Sequence, residues 1–321
     1  MGRYRGEGPD LAARLDEAEK LGRCLAAKNS ADARRLSRLC EKGLLLRPVD
    51  GLYMRKSTWE LLTPADRNRA MVRSLSERHR DWTLSHVSAA AMYGLSVSYA
   101  YLANVHAITR SGCKRLDVVT KHRMSRGVRE KNGIRLTTPE DTVLDCAAMM
   151  PFPDALAVAD SAIAFRITCE KHLRNAATHR AGYRGIRAGR RVVSHVDGRS
   201  ESGGESIVRG ILIELGYEIV DLQSPVASID GAKGPLRVDI LMRAKDGAFV
   251  DLEVDGGEKY TNPEMNGGSM LRALMNERQR EAGITARGLK VMRITVAQAR
   301  NRELLKARLA VYGVFPDSNV S

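Results

Sequence analysis

The stretch from Leu236 to Gly256, LRVDILMRAKDGAFVDLEVDG, restricts what this chain can fold into more than any other. Val238, Ile240 and Met242 alternate with Arg237, Asp239 and Leu241, and Val250, Leu252 and Val254 alternate with Asp251, Glu253 and Asp255. Such alternation reads as two strands, and Lys245-Asp246-Gly247 between them reads as a hairpin turn. Because side chains alternate with period two, putting both apolar sets into one core fixes the parity of the pairing. With the turn centred on Asp246, Asp239 falls opposite Glu253, their Cβ atoms roughly 4.5–5.5 Å apart. Two carboxylates that close repel each other. A divalent cation would convert the repulsion into a site, since hard cations such as Mg2+ take carboxylates together with phosphate or water oxygens.

The elements around this hairpin follow an order: a helix from Glu205 to Leu215 ended by Gly216, a strand near Glu218–Ala227, the hairpin, a Gly-rich loop from Gly256 to Gly268, a helix from Leu271 to Ala282, the strand KVMRIT (Lys290 to Thr295) and a closing helix from Val296 to Val311. This order resembles the PD-(D/E)XK nuclease fold, αβββαβ. Within it, Glu201-Ser202-Gly203-Gly204-Glu205-Ser206, then Asp239, then Glu253-Val254-Asp255-Gly256 resemble the motifs of the Vsr-like group. The likeness covers residues 201–321. It implies a Mg2+-dependent endonuclease-like domain in which Asp239, Glu253 and Glu205 hold the metal and the Val254 carbonyl adds a ligand. Asp255 occupies the position where many such nucleases have Lys, although some members use an acid there, and would be a ligand or orient the attacking water. Lys259, Arg278 and Arg280 would stabilise developing charge or contact phosphate, as phosphodiester cleavage requires. The chain departs from the Vsr-like pattern where that group has a His after Glu-x-Asp-Gly, for Glu258-Lys259 stand there. It departs again at Asn276-Glu277-Arg278, where an Asp usually precedes the Arg. All seven histidines lie at or before His195, so a histidine of this domain's own is excluded from its mechanism.

Charge divides the chain. Its formal net charge is +14, yet residues 201–321 hold 16 Lys/Arg against 17 Asp/Glu, so residues 1–200 carry 36 against 21, a net of +15. A basic portion joined to a neutral one points to a nucleic-acid-facing part. Leu11, Leu15, Ala18 and Leu25 sit at helical spacing and predict a helix over 10–28. Asn29-Ser30 caps a second helix, ADARRLSRLCEKG, carrying Arg34, Arg35 and Arg38. A hairpin follows through Pro48-Val49-Asp50-Gly51, with Arg47 and Arg55 on its strands. Helix, basic helix and hairpin over residues 1–60 have the layout of a winged helix-turn-helix, with the second helix reading a major groove and the wing arginines touching phosphates of duplex DNA.

Residues 63–80 predict a further helix opened by Thr63-Pro64, and Leu84-Ser85-His86-Val87-Ser88-Ala89-Ala90-Ala91-Met92-Tyr93-Gly94-Leu95 predicts a helix capped by Ser85 and closed by Gly94. With Thr137-Thr138-Pro139-Glu140-Asp141-Thr142-Val143-Leu144-Asp145, this block resembles the AbiEi-type antitoxin-like proteins of bacteria. The likeness covers roughly residues 30–165, and it implies a small α/β domain over 61–180 and a toxin protein as a partner. His86 reads as a capping or packing residue. Segments within 102–136 alternate and predict a small sheet bearing Arg115, Lys121, Arg123, Arg126 and Arg129, and 154–165 reads as a core helix. Residues 166–199 carry nine Arg/Lys, and 181–200 reads as a basic connector.

No run of 18 apolar residues predicts a membrane span, and MGRYRGEGPD lacks the apolar core of a secretory signal. The five cysteines form no Cys-x-x-Cys pair, so a reduced, cytoplasmic protein is expected. The expectation is an α+β and α/β multidomain chain that binds duplex DNA and cleaves it with Mg2+. The alternatives are a transcriptional repressor or antitoxin with an inactive nuclease fold, and an interaction protein using its acidic C-terminal face.

Overall fold

The computed structural model describes residues 8–110, 114–115, 118–123, 126–226, 236–255 and 288–317. The protein is a mixed α/β chain with three sheets among these residues. It forms two compact units that interleave in sequence: residues 1–149 with 171–190, and residues 150–170 with 191–321. One boundary between the units, after Arg190, falls inside the stretch 181–200 that the sequence marks as a connector, and the two others lie before it, after Met149 and Glu170.

The first unit begins with α1 (Pro9–Lys20), β1 (Leu25–Ala26), α2 (Ser30–Glu41), β2 (Leu45–Val49) and β3 (Leu52–Arg55), the strands in the order β1-β3-β2. The helix predicted over 10–28 stops at Lys20. Gly22 takes the left-handed conformation at φ 63°, and Leu25 and Ala26 pair with Tyr53 and Leu52 instead of continuing the helix. Asn29 caps α2 by accepting from the backbone N–H groups of Ala31 and Asp32. Leu11 and Leu15 of α1, Leu36 and Leu39 of α2, and Leu45 and Tyr53 of the sheet make one buried cluster. That packing fixes which face of α2 is left outward, the face bearing its arginines.

After α3 (Lys56–Leu61) comes α4 (Pro64–Arg78), capped as expected by Thr63, which accepts from Asp66 N–H. Then β4 (Thr83–Leu84), α5 (His86–Tyr93), β5 (Val105–Ile108), β6 (Lys114–Arg115), β7 (Val119–His122), β8 (Val128–Lys131) and β9 (Ile134–Thr137) build a six-stranded sheet in the order β6-β7-β5-β4-β9-β8. Ser85 holds the N-cap position of α5 but makes no side-chain cap bond, while Gly94 ends the helix at φ 81°. The helix α6 (Pro139–Met149) follows.

The second unit takes α7 (Phe152–Ala164), and the chain returns to the first with α8 (Glu170–His179). The helix α9 (Ile186–His195) occupies half of the expected connector. In the second unit, α10 (Gly203–Glu214) precedes β10 (Asp221–Val226), β11 (Leu236–Arg243), β12 (Phe249–Asp255) and β13 (Lys290–Thr295), in the order β10-β11-β12-β13. The first three strands run antiparallel and β13 joins β12 in parallel. Val208, Leu212, Ile240, Met242, Leu252 and Met292 share its core. Gly210 lets α10 approach α7, since a Cβ there would lie 2.6 Å from Pro153 Cα. The single closing helix predicted over 296–311 is two, α11 (Val296–Arg300) and α12 (Arg302–Val311). Asn301 leaves helical geometry at ψ 91° and its Oδ1 accepts from Leu304 N–H, starting the second helix. The expected Gly-rich loop and the helix at 271–282 lie outside the described residues.

Candidate functional site

Three groups of side chains carry chemistry: a basic groove in the first unit, a histidine trio in the same unit, and a carboxylate-bearing sheet face in the second.

The groove runs between α2 and the β2–β3 hairpin, with a volume of about 700 Å3. Arg34 and Arg38 line it from α2, Arg47 from β2 and Arg78 from the last turn of α4, against the two acids Glu41 and Asp50. All four arginines are exposed. Arg78 donates to the Asp50 carbonyl at 2.8 Å, and Arg47 lies 3.6 Å from the Asp50 carboxylate. Exposed pairs of that kind are worth little and yield readily to a phosphate. Arg35 is exposed too but does not line the groove. Arg55 stands on the hairpin as expected, but its side chain does not face the groove. It is the last residue of β3, and its side chain turns to α1, pairing with Asp16 at 2.8 Å and Glu19 at 2.9 Å. Asp16 and Glu19 stand three residues apart on one helix face, which makes a bracket for one guanidinium. Arg78 is absent from the expected set, because nothing local in the sequence brings the end of α4 beside the hairpin.

Not every arginine of the basic portion faces water. Arg126 and Arg180 are buried against Asp145 at 3.0 and 2.9 Å, and Arg180 also pairs with Asp141. Of the nine Lys/Arg in the stretch 166–199, Arg180 is buried and the other eight are exposed. The Thr-Pro block has a structural job as well. Thr137 and Thr142 hydroxyls meet at 2.7 Å, Tyr93 donates to the Thr137 carbonyl, and Asp141 accepts from Gly127 N–H.

Beside these ion pairs lie His86 at the start of α5, His106 on β5 and His122 on β7, each offering a ring nitrogen within 4.8 Å of the others. His106 Nδ1 and His122 Nε2 are 3.0 Å apart, and the His86 and His122 rings stack at 4.1 Å. His86 Nδ1 meets Ser85 Oγ at 2.9 Å. Burial, then His122 and His106, then Arg126 and Arg180, hold the His86 imidazole well below its usual range. Burial lowers His122 as well, partly opposed by Asp145. Of the capping and packing roles expected of His86, the buried ring packed against His106 and His122 fits packing. The sequence does not announce the trio, whose members are 20 and 16 residues apart. They meet only because β5 and β7 pair in parallel, and Ile108 rather than His106 stands beside His122 in that register.

In the second unit the hairpin register is the one the alternation predicts. Ile240 pairs with Leu252 and Met242 with Val250, which carries Asp239 across from Glu253. Asp239 Oδ2 accepts from Val254 N–H at 3.1 Å. Glu205 sits in the first turn of α10, where Ser202 Oγ accepts from its N–H. Its Oε2 accepts from Glu201 N–H at 2.8 Å and Gln223 Nε2 at 3.0 Å. Burial raises the pKa of Glu205 and the charge of Asp239 adds to it, while the hydrogen bonds from Glu201, Ser202 and Gln223 oppose the rise. Two participants are additions to the expected set. Asp251 is fully buried on the Glu253 side of β12, and Arg293 of β13 reaches Glu253 with Nε at 3.0 Å. Asp255 is half-buried at the end of β12. Lys259, Arg278 and Arg280 lie outside the described residues. The donors Glu205, Asp239 and Glu253 are all oxygen ligands, which fits a hard cation such as Mg2+. Among the described residues, however, the group drawn within 4.8 Å is the histidine trio and not these carboxylates.

No described helix is long and apolar enough to cross a membrane. No family model matches the chain, and no solved structure matches it. The chain is similar to an uncharacterized protein of Mycobacterium tuberculosis, MT2308 in strain CDC 1551 / Oshkosh and Rv2248 in strain ATCC 25618 / H37Rv. Each is 26% identical over 226 residues, spanning 70% of this chain and 78% of the relative.

Proposed function

We propose that the protein binds duplex DNA through the groove between α2 and the β2–β3 hairpin, as a winged helix does. The observation that carries this reading is the convergence of Arg34, Arg38, Arg47 and Arg78 on one open groove, with the hairpin and α2 built on a common core. A helix of 12 residues is about 18 Å long, and the major groove of B-DNA admits an α-helix. Arg34 and Arg38 would read base edges, and Arg47 and Arg78 would neutralise phosphates. Fluorescence anisotropy with random and promoter-derived duplexes tests it. Binding that weakens steeply with salt is expected; no binding at low salt would refute it.

The second unit, in the same proposal, is an endonuclease-like domain of PD-(D/E)XK, Vsr-like type. Glu205, Asp239 and Glu253 would hold Mg2+, with Asp255 beside them, and the metal would supply Lewis acidity at the scissile phosphate. Burial chiefly, and the charge of Asp239 in smaller part, raise the Glu205 carboxyl, and a cation would relieve the part due to Asp239. Nicking of supercoiled plasmid with and without Mg2+ is the test. One observation favours the second reading, a repressor or antitoxin whose nuclease fold is inactive: Arg293 already lies against Glu253 and balances it without a metal. In that reading a toxin protein is the further partner, and plasmid stays intact while a discrete operator is protected. The free thiols Cys24, Cys40, Cys146 and Cys169 suit a reducing cytoplasm in either case.

A further inference from the structure

We propose that His86, His106 and His122 form a binding site for a transition-metal dication of the zinc class, separate from the carboxylate face. Zinc binds imidazole nitrogen at about 2.0–2.1 Å, so nitrogens around a tetrahedral ion stand roughly 3.3 Å apart. The three ring nitrogens already lie within 4.8 Å, and His106 Nδ1 and His122 Nε2 stand 3.0 Å apart. Ring rotations, without backbone movement, would bring them onto one ion. The donor set decides the class of metal: three imidazoles and no carboxylate favour zinc, copper, nickel or iron over Mg2+ or Ca2+.

Two further features belong to a built site. Ser85 Oγ engages His86 Nδ1, which leaves Nε2 as the ligating nitrogen and fixes the ring, as outer-shell partners of metal-binding histidines do. The backbone of His86 is held at φ 49°, in the left-handed region, although it opens a helix. A non-glycine residue kept there costs free energy that the surrounding structure must offset, and such outliers cluster at functional sites. Arg126 and Arg180 are paired with Asp145 and Asp141, and Asp145 opposes Arg126 at His122, although both arginines still act on His86. His86 and His106 are buried while His122 is half-buried, giving the ion a way in past His122. Three protein ligands leave a fourth position for water or an external group, the pattern of open rather than purely structural zinc sites.

The test uses the full chain, stripped with chelator and titrated with Zn2+ alone and with Co2+ alone. One equivalent bound, a tetrahedral Co2+ absorption band and a rise in melting temperature are expected. His122→Asn, at the half-buried position least needed for packing, should abolish the band and the thermal shift while the metal-free melting temperature stays near that of the parent. His172→Ala with His179→Ala, on exposed faces, should change neither. Absence of Zn2+ and Co2+ uptake by the parent, or uptake that survives His122→Asn and disappears with the His172/His179 pair, overturns the site. DNA binding is measured separately, so loss of the groove reading would leave this result standing.

Discussion

The arginines of α2 and those around Asp145 belong to one unit and one residue type, yet they are used in opposite ways. Arg34 and Arg38 stand exposed on a groove that Glu41 and Asp50 also line. Arg126 and Arg180 are buried, and the same carboxylate accepts from both. Sequence charge alone cannot tell the two apart. The difference is set by whether a carboxylate on a neighbouring element arrives at the guanidinium once the chain has folded. Net charge therefore overstates the cationic surface available to a ligand, and the groove, not the sum, is the quantity that bears on binding.

The comparison is broken most severely at Asp145. Asp145→Ala leaves two buried guanidiniums short of their shared partner and is expected to cost about 3–5 kcal/mol of stability in urea denaturation. A cost within the range of ordinary surface substitutions would mean that Arg126 and Arg180 are not held as described. Next in size is Arg55, which the wing layout assigns to phosphate and the structure assigns to Asp16 and Glu19. Arg55→Ala should lower stability by about 1.5–3 kcal/mol, the range for hydrogen bonds to charged groups. Its effect on DNA affinity, measured under conditions where the variant is folded, should be slight. Replacing Arg34 and Arg38 should do the reverse. Affinity for a preferred duplex should fall by about 1–3 kcal/mol for each guanidinium that grips a base edge through two hydrogen bonds. Random duplex should suffer less, and the melting temperature should hardly move. An equal fall on both duplexes would reduce these arginines to phosphate binders.

The smallest expected effect concerns Glu205. Its carboxyl is raised in the folded state, chiefly by burial and then by Asp239, so its contribution to stability is present below the unfolded carboxylate pKa and is lost as pH rises through the folded value. Glu205→Gln keeps an acceptor for Glu201 N–H and Gln223, removes the charge beside Asp239, and should leave stability at neutral pH equal or slightly higher in chelator. Stability that instead falls markedly at neutral pH would show that the charge itself is needed there.

The carboxylate pair is legible in the sequence because period-two alternation is local. Once Val238, Ile240 and Val250 face a core and the turn is placed at Asp246, Asp239 must come to Glu253. The caps at Asn29 and Thr63 are legible for the same reason, each being an interaction within three residues. The histidine trio, Arg78 at the groove and Arg293 at Glu253 are not. Each depends on pairing between distant strands or packing of a distant helix, and no spacing in the chain announces it. The ends of helices escape the sequence pattern where a single residue redirects the backbone: Gly22 after α1 and Asn301 between α11 and α12.

The salt dependence of duplex binding tests the groove most directly. With the intact chain, log K plotted against log salt concentration should be steep. Replacing Arg34, Arg38 and Arg47 together should reduce the slope by about 0.9 for each arginine that neutralises a phosphate, with the fold intact. A slope and affinity unchanged by the triple replacement would contradict the account, because the +15 of residues 1–200 would then act from somewhere other than this groove.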